Sequence, residues 1–185
     1  MKNIILLLTL FYTNIAMAIE ISPYEIIEKI SDKVEIRQYD KIILATVSVS
    51  DEEGGNSAFR SLFKFISGDN NQKQEIKMTA PVFREEIDGN MNMSFVMPAK
   101  FNEKNLPQPN NPKIKINLIQ NQKFIAIRFS GFANDNNFEE NQEILEEIIK
   151  KKQINANIDL PIRAYYNRPW SLPFFKRNEL LFKLH

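Results

Sequence analysis

The stretch that decides the fold runs from Val34-Glu35-Ile36-Arg37-Gln38-Tyr39 through Ile42–Val49 and Gly54-Gly55-Asn56 to Phe59–Ile66. Residues 34–39 alternate apolar and polar side chains, which predicts a half-buried strand. Residues 42–49 are rich in β-branched side chains and predict a second strand. Gly54-Gly55-Asn56 interrupts the pattern, and Asn56 is a candidate helix cap. Phe59, Leu62, Phe63 and Ile66 recur at i, i+3, i+4 and i+7. That spacing predicts a helix over Asn56–Ile66 with those four on its core-facing arc and Ala58, Ser61 and Phe65 on the flanks. Ser67-Gly68 ends it, and the polar run Asp69–Gln74 reads as a mobile loop. Strands are expected at 82–87 and 91–97, joined by Asp88-Gly89-Asn90, whose residues tolerate the positive φ of a tight hairpin.

Working outward, the second half repeats this order. Prolines 98, 107, 109 and 112 mark residues 98–112 as an extended connector. Strands follow at 114–119 and 124–130, then a helix over 138–152 carried by Phe138, Leu145, Ile148 and Ile149. Strands at 162–166 and 179–184 close the chain. Each half, about 24–97 and 113–184, therefore reads strand–strand–helix–strand–strand, a duplicated α+β unit within one domain over 19–185.

Ahead of it, Lys2, the apolar run 4–12 and Ala16-Met17-Ala18 form the charged, hydrophobic and small-residue parts of a secretory signal peptide, residues 1–18. This predicts a periplasmic or secreted protein with no stable membrane insertion after cleavage. Cleavage would remove one basic residue and no acidic one.

The 185 residues carry 24 Lys+Arg, 23 Asp+Glu, no Cys and one His, the terminal His185. Zero Cys excludes a disulfide framework, a thiol nucleophile and an iron–sulfur cluster. The lone terminal His excludes a Ser-His-Asp triad and a multi-His metal site. Near-zero net charge argues against nucleic acid as a partner. Five Gly, none in a phosphate-loop pattern, leave no nucleotide motif. Adjacent carboxylates such as Glu85-Glu86 and Glu146-Glu147 point apart and are expected to be solvated. No catalytic or metal-binding set is expected. Met91 and Met93 share a strand face; thioethers can ligate haem iron, but core gap-filling is the commoner use. Tyr165-Tyr166, Trp170, Phe174 and Phe175 cluster between Pro169, Pro173 and basic Lys176-Arg177. That cluster suits either a flat apolar ligand with carboxylates or a loop covering the open end of a barrel.

Several segments together resemble the SOUL haem-binding family. They are residues 34–39, Phe65-Ile66-Ser67-Gly68-Asp69-Asn70, Ile76-Lys77-Met78-Thr79-Ala80-Pro81-Val82, Phe95-Val96-Met97-Pro98, Leu106-Pro107-Gln108-Pro109, Arg128-Phe129-Ser130-Gly131 and Arg177-Asn178-Glu179-Leu180. The Met-Thr-Ala-Pro-Val run is the most specific. The resemblance implies the duplicated unit closed into a distorted antiparallel β-barrel flanked by two helices, and with the signal peptide it reads as an exported bacterial member. It also implies haem or another porphyrin as the ligand, held in a shallow apolar site between the first helix and the loop before the last strand. Carried onto this chain, the ligand contacts are Ala58, Leu62 and Phe65 from the helix and Trp170, Phe174 and Phe175 from the loop, with Arg60 and Lys64 pairing with propionates. The chain lacks the axial His credited to some members, so haem would be held without His ligation.

The leading expectation is a non-enzymatic tetrapyrrole binder. The alternatives are a binder of other apolar small molecules, on an architecture shared with effector-binding domains, and an enzyme using Glu179 as acid or base. Plain pairing of Glu179 with Arg177 or Lys183 competes with that last role.

Overall fold

The computed structural model describes residues 19–50 and 52–185; the expected signal peptide lies outside them. In chain order the elements are strands β1 Glu20–Ile21, β2 Glu25–Lys29 and β3 Val34–Ser50, then helix α1 Gly54–Ile66. Strands β4 Thr79–Ala80, β5 Val82–Ile87, β6 Asn90–Val96 and β7 Ile114–Phe129 follow. Helix α2 Asp135–Lys152 precedes β8 Ile162–Tyr165, a 3-10 turn Pro173–Phe175 and β9 Asn178–Lys183.

Six antiparallel strands close a barrel in the order β3-β6-β5-β8-β9-β7 and back to β3, and β2 adds one strand on the N-terminal half of β3. The two expected strand pairs 34–39/42–49 and 114–119/124–130 are in fact two long continuous strands. They pair along nearly their whole length, from Val34 opposite Ile127 to Val47 opposite Ile114. The polar residues between them, Asp40-Lys41 and Gln120–Lys123, bend the strands instead of ending them: Asn121 takes a positive φ of 49° opposite the Asp40 region. Because side chains alternate faces, that bend also decides what faces inward. Tyr39, Ile42, Leu44, Phe83, Val96, Phe124, Ala126, Ala164, Tyr166 and Leu181 fill the barrel. Their neighbours face out beneath the helices. Ile43, Ala45, Val47, Met91 and Phe95 lie under α1, while Ile125, Ile127, Leu180 and Phe182 pack with Phe138, Leu145 and Ile149 of α2.

The hairpin at Asp88-Gly89 forms as expected, with φ of 52° and 72° at its two central residues. Helix α2 starts three residues earlier than its apolar pattern. The Asn134 side chain caps it by accepting the Asn137 N–H at 3.1 Å, and Lys150, Lys151 and Lys152 sit in its last turn. Asn56 is not a cap: α1 begins at Gly54 with no side-chain cap.

Two expectations about the α1 region are corrected. The core-facing arc is Ala58, Leu62, Phe65 and Ile66, whereas Phe59 and Phe63 are 40% and 50% exposed. Ala58 is the reason: a methyl side chain lets the helix lie close against β3 and β6, and the bulkier Phe59 and Phe63 are turned outward. They stack on each other, ring centroids 6.0 Å apart at 13°. Nor is the 69–74 segment loose. Buried Asn70 donates to the Phe65 and Gln74 carbonyls at 3.1 and 2.8 Å and accepts from the Gln72 and Gln74 N–H groups. One amide thus satisfies both the end of α1 and the turn after it. Among the described residues no helix is long and apolar enough to cross a membrane.

Candidate functional site

An open groove of about 620 Å³ runs between α1 and the segment leading into β9. The helix contributes Gly55, Asn56 and Phe59; the floor is Val82, Arg84, Met93 and Tyr165; the far wall is Phe132–Asn134, Asn167, Pro169, Lys176 and Asn178. The floor follows from strand pairing. Arg84 lies directly opposite both Met93 and Arg163, and Val82 opposite Tyr165, so these outward-facing positions form a band across β6, β5 and β8. The Met93 methyl lies against Gly55, leaving the groove open at the start of the helix. Phe59 is braced edge-on by Phe95, centroids 5.3 Å apart.

Two cations enter this apolar surface. Arg84 makes an exposed 3.4 Å contact with Glu86, while its Nε is buried and has no hydrogen-bond partner. Lys176 donates through Nζ to the Pro169 carbonyl at 2.9 Å and forms no ion pair with the described residues.

The sequence-derived contacts divide sharply against this geometry. Ala58, Leu62 and Phe65 are buried in the core under α1, so they support the groove wall from behind and do not line it. Arg60 and Lys64 are on the exposed surface of α1, outside the lining. Trp170, Phe174 and Phe175 are 77%, 66% and 72% exposed and also stand outside it; only Pro169 and Lys176 of their loop reach the groove. The residues that do line it and went unnoticed are Arg84 and Phe132. Phe132 had a signal, a lone aromatic in the polar run Gly131-Phe132-Ala133-Asn134, where no apolar periodicity requires one. Arg84 had none, since its position depends on the pairing of three strands.

A second opening, of about 460 Å³, enters the barrel itself, lined by Ile42, Leu44, Phe83, Phe124, Ile162 and Leu181 with Glu85, Ser94 and Lys183. Glu85 makes no hydrogen bond or ion pair with the described residues, and burial pushes its carboxyl above the usual range.

At the opposite end of the barrel interior Glu179 is 2% exposed and fully engaged. Arg37, whose side chain is 0% exposed, donates to Oε2, as does the Tyr166 hydroxyl at 2.9 Å; Arg177 donates to Oε1 at 2.8 Å. The partner expected on β9, Lys183, does not take part. The Arg37 guanidinium lies 4.2 Å over the Tyr24 ring, and Arg177 lies 3.9 Å over Tyr166. Burial alone would lower the Arg37 guanidinium; the combined field of Tyr39, Glu179 and Tyr166 more than reverses this and holds it charged. Burial pushes the Tyr39 phenol up to about 12. Both Glu179 carboxylate oxygens are thus occupied by donors. Among the described residues no group of three or more His, Cys, Asp or Glu side chains could hold a metal ion.

Solved structures share this architecture at low sequence identity. An uncharacterised conserved protein from Listeria innocua superposes with a TM-score of 0.62 at 12% identity, over 83% of this chain and 92% of that one. A protein described as a hydrolase from the same organism gives 0.60 at 11%, over 83% and 92%. SAV2435, solved bound to tetraphenylphosphonium, gives 0.50 at 12%, over 83% and 94%. At these identities the likeness is one of fold. No curated protein matches the chain in sequence. Residues 19–183, nearly all of the described chain, match the family described as SOUL heme-binding protein, and the chain belongs to that family.

Proposed function

We propose that this protein binds a flat tetrapyrrole bearing carboxylates in the groove between α1 and the segment before β9, without His ligation and without catalysing a reaction on it. The observation that carries this reading is the combination, in one opening of about 620 Å³, of an apolar wall with two basic side chains. That volume lies within the range of roughly 300–1,000 Å³ usual for small-molecule sites. Phe59, Val82, Met93, Phe132 and Pro169 would bear on the ring faces and edges. Arg84, whose side chain is about one-third exposed, and Lys176 would meet the carboxylates. Met93 and Tyr165 are the two groove-lining residues of a type that ligates haem iron. When bound, haem would supply redox and axial-ligand chemistry; the chain supplies shape, charge and exclusion of water. The engagement of Glu179 by Arg37, Arg177 and Tyr166 supports binding over acid–base catalysis.

Titrating the purified protein with hemin tests this. A saturable Soret shift at micromolar hemin is expected, weakened by Phe59→Asp and by Arg84→Ala with Lys176→Ala, at unchanged thermal stability. Absence of any saturable shift sinks the reading.

A specific observation favours a second ligand mode, a small apolar cation inside the barrel. Glu85, which makes no ion pair with the described residues, lines with Lys183 a cavity walled by Ile42, Leu44, Phe83, Phe124, Ile162 and Leu181, and the similarly folded SAV2435 was solved with an apolar cation bound. Calorimetry with tetraphenylphosphonium distinguishes the two modes: binding abolished by Glu85→Gln supports the barrel site, and no heat above dilution refutes it.

A further inference from the structure

The aromatic loop before β9 is left over once the groove is accounted for. Trp170, Leu172, Phe174 and Phe175 are 57–77% exposed, and Phe132 on the neighbouring loop is 66% exposed. None of the five belongs to a core cluster. Leaving so much apolar surface in water is costly, at about 25 cal/mol per Å². A surface of this kind calls for a partner.

The loop is built stiffly for a segment without a core. Ser171 N–H donates to the Arg168 carbonyl at 3.0 Å, Phe175 N–H to Leu172 at 3.0 Å and Lys176 N–H to Pro173 at 3.0 Å. Gly131 N–H donates to the Pro173 carbonyl at 2.9 Å, tying the Phe132 loop to the same tip. The result is a preformed 3-10 turn projecting its aromatics outward, with little ordering cost left for binding.

Charge indicates what the tip meets. Between Leu160 and Asn178 the chain has Arg163, Arg168, Lys176 and Arg177 and no acidic residue. Arg163 pairs with Asp135, and Arg177 shares Glu179 with Arg37, whereas Arg168 and Lys176 form no ion pair with the described residues. Arg168 stacks over Trp170 at 5.8 Å, and Lys176 sits at the other base of the turn. Apolar tips with Trp at their edge and free cations behind them match the layered chemistry of a bilayer surface, acyl chains beneath anionic headgroups.

We propose that residues 168–176, with Phe132, form a peripheral docking surface for an anionic lipid bilayer. The aromatics enter the interfacial layer, and Arg168 and Lys176 rest among the headgroups. The groove opens beside this surface, sharing Phe132, Pro169 and Lys176 with it. Docking rests on these side chains alone and not on the tetrapyrrole reading.

Trp170 is the chain's single Trp and reports directly on the tip. Ligand-free protein is mixed with vesicles of phosphatidylcholine, with and without phosphatidylglycerol. The expected result is a blue shift of Trp170 emission and co-sedimentation that depend on phosphatidylglycerol and weaken with salt. Phe174→Ser with Phe175→Ser should weaken partitioning about tenfold or more, since each Phe loses a buried apolar face. Arg168→Glu with Lys176→Glu should remove the preference for anionic lipid. All four positions are exposed or at the loop base, so the melting temperature serves as the folding control. An unshifted Trp170 at saturating anionic vesicles overturns the proposal, as does equal binding to both vesicle types. A blue shift on concentrating the protein alone, with sedimentation as a dimer, overturns it in favour of a second copy of the chain.

Discussion

Neutralising Glu179 should destabilise this fold by about 3–5 kcal/mol, the usual cost of leaving a buried charge without its partner. Glu179→Gln keeps the shape of the side chain and removes its charge. Arg37 then remains with a fully buried side chain, its Nε and Nη1 already without hydrogen-bond partners. Its next carboxylate, Glu35, is 3.6 Å away and partly exposed, too weak a contact to replace Glu179. Arg177, about one-fifth exposed, can turn toward water; Arg37 cannot. For a domain of this size each kcal/mol is worth about 2–4 °C of melting temperature, so the drop should be roughly 6–20 °C. Urea unfolding followed by far-ultraviolet circular dichroism measures it. Replacing both partners, Arg37→Met with Glu179→Leu, should cost less than Glu179→Gln alone, because no charge is then stranded. A loss below about 1 kcal/mol for Glu179→Gln, or a double variant less stable than the single, would refute the reasoning.

Three further outcomes follow from the interior. Tyr39 stays protonated in the fold up to about pH 12 but ionises near pH 10 when unfolded. The unfolded chain therefore loses its proton first, and stability should fall as pH rises from 10 to 12; Tyr39→Phe, which removes an unpartnered buried hydroxyl, should flatten part of that decline in urea midpoints. Glu85 is raised by burial, so its ionised form opposes folding at neutral pH, and Glu85→Gln should leave the melting temperature unchanged or higher there while abolishing apolar-cation binding. Phe138→Ala should cost about 3–5 kcal/mol in the same unfolding assay, since Phe138 is fully buried and joins α2 to Phe129 and Tyr165 at centroid distances of 5.1 and 5.3 Å.

Much of the architecture was legible because hydrophobic periodicity and turn chemistry are local. The hairpin at Asp88-Gly89, both helices and the strands around them follow from neighbours in sequence. What escaped depends on distant contacts. In α1 two overlapping arcs share Leu62 and Ile66. Periodicity favours the larger Phe59 and Phe63, but close approach to β3 and β6 selects Ala58 and Phe65. The alternation at 34–39 suggested one wet face; both are buried, Val34 against α2 and Arg37 against Glu179, which is 142 residues away. β2 was missed because Glu25-Ile26-Ile27-Glu28-Lys29 is exposed throughout and carries no buried stripe. The groove shares this limit, since Arg84 enters it only through the register of β5 between β6 and β8.

The most direct test of the tetrapyrrole groove is to map amide chemical shifts while titrating isotope-labelled protein with diamagnetic zinc protoporphyrin. Saturable shifts are predicted at Gly55–Phe59, Val82, Arg84, Met93, Phe132–Asn134, Asn167 and Lys176. Shifts confined to the barrel interior around Ile42, Phe124, Ile162 and Leu181, or no saturable shifts at all, would contradict it.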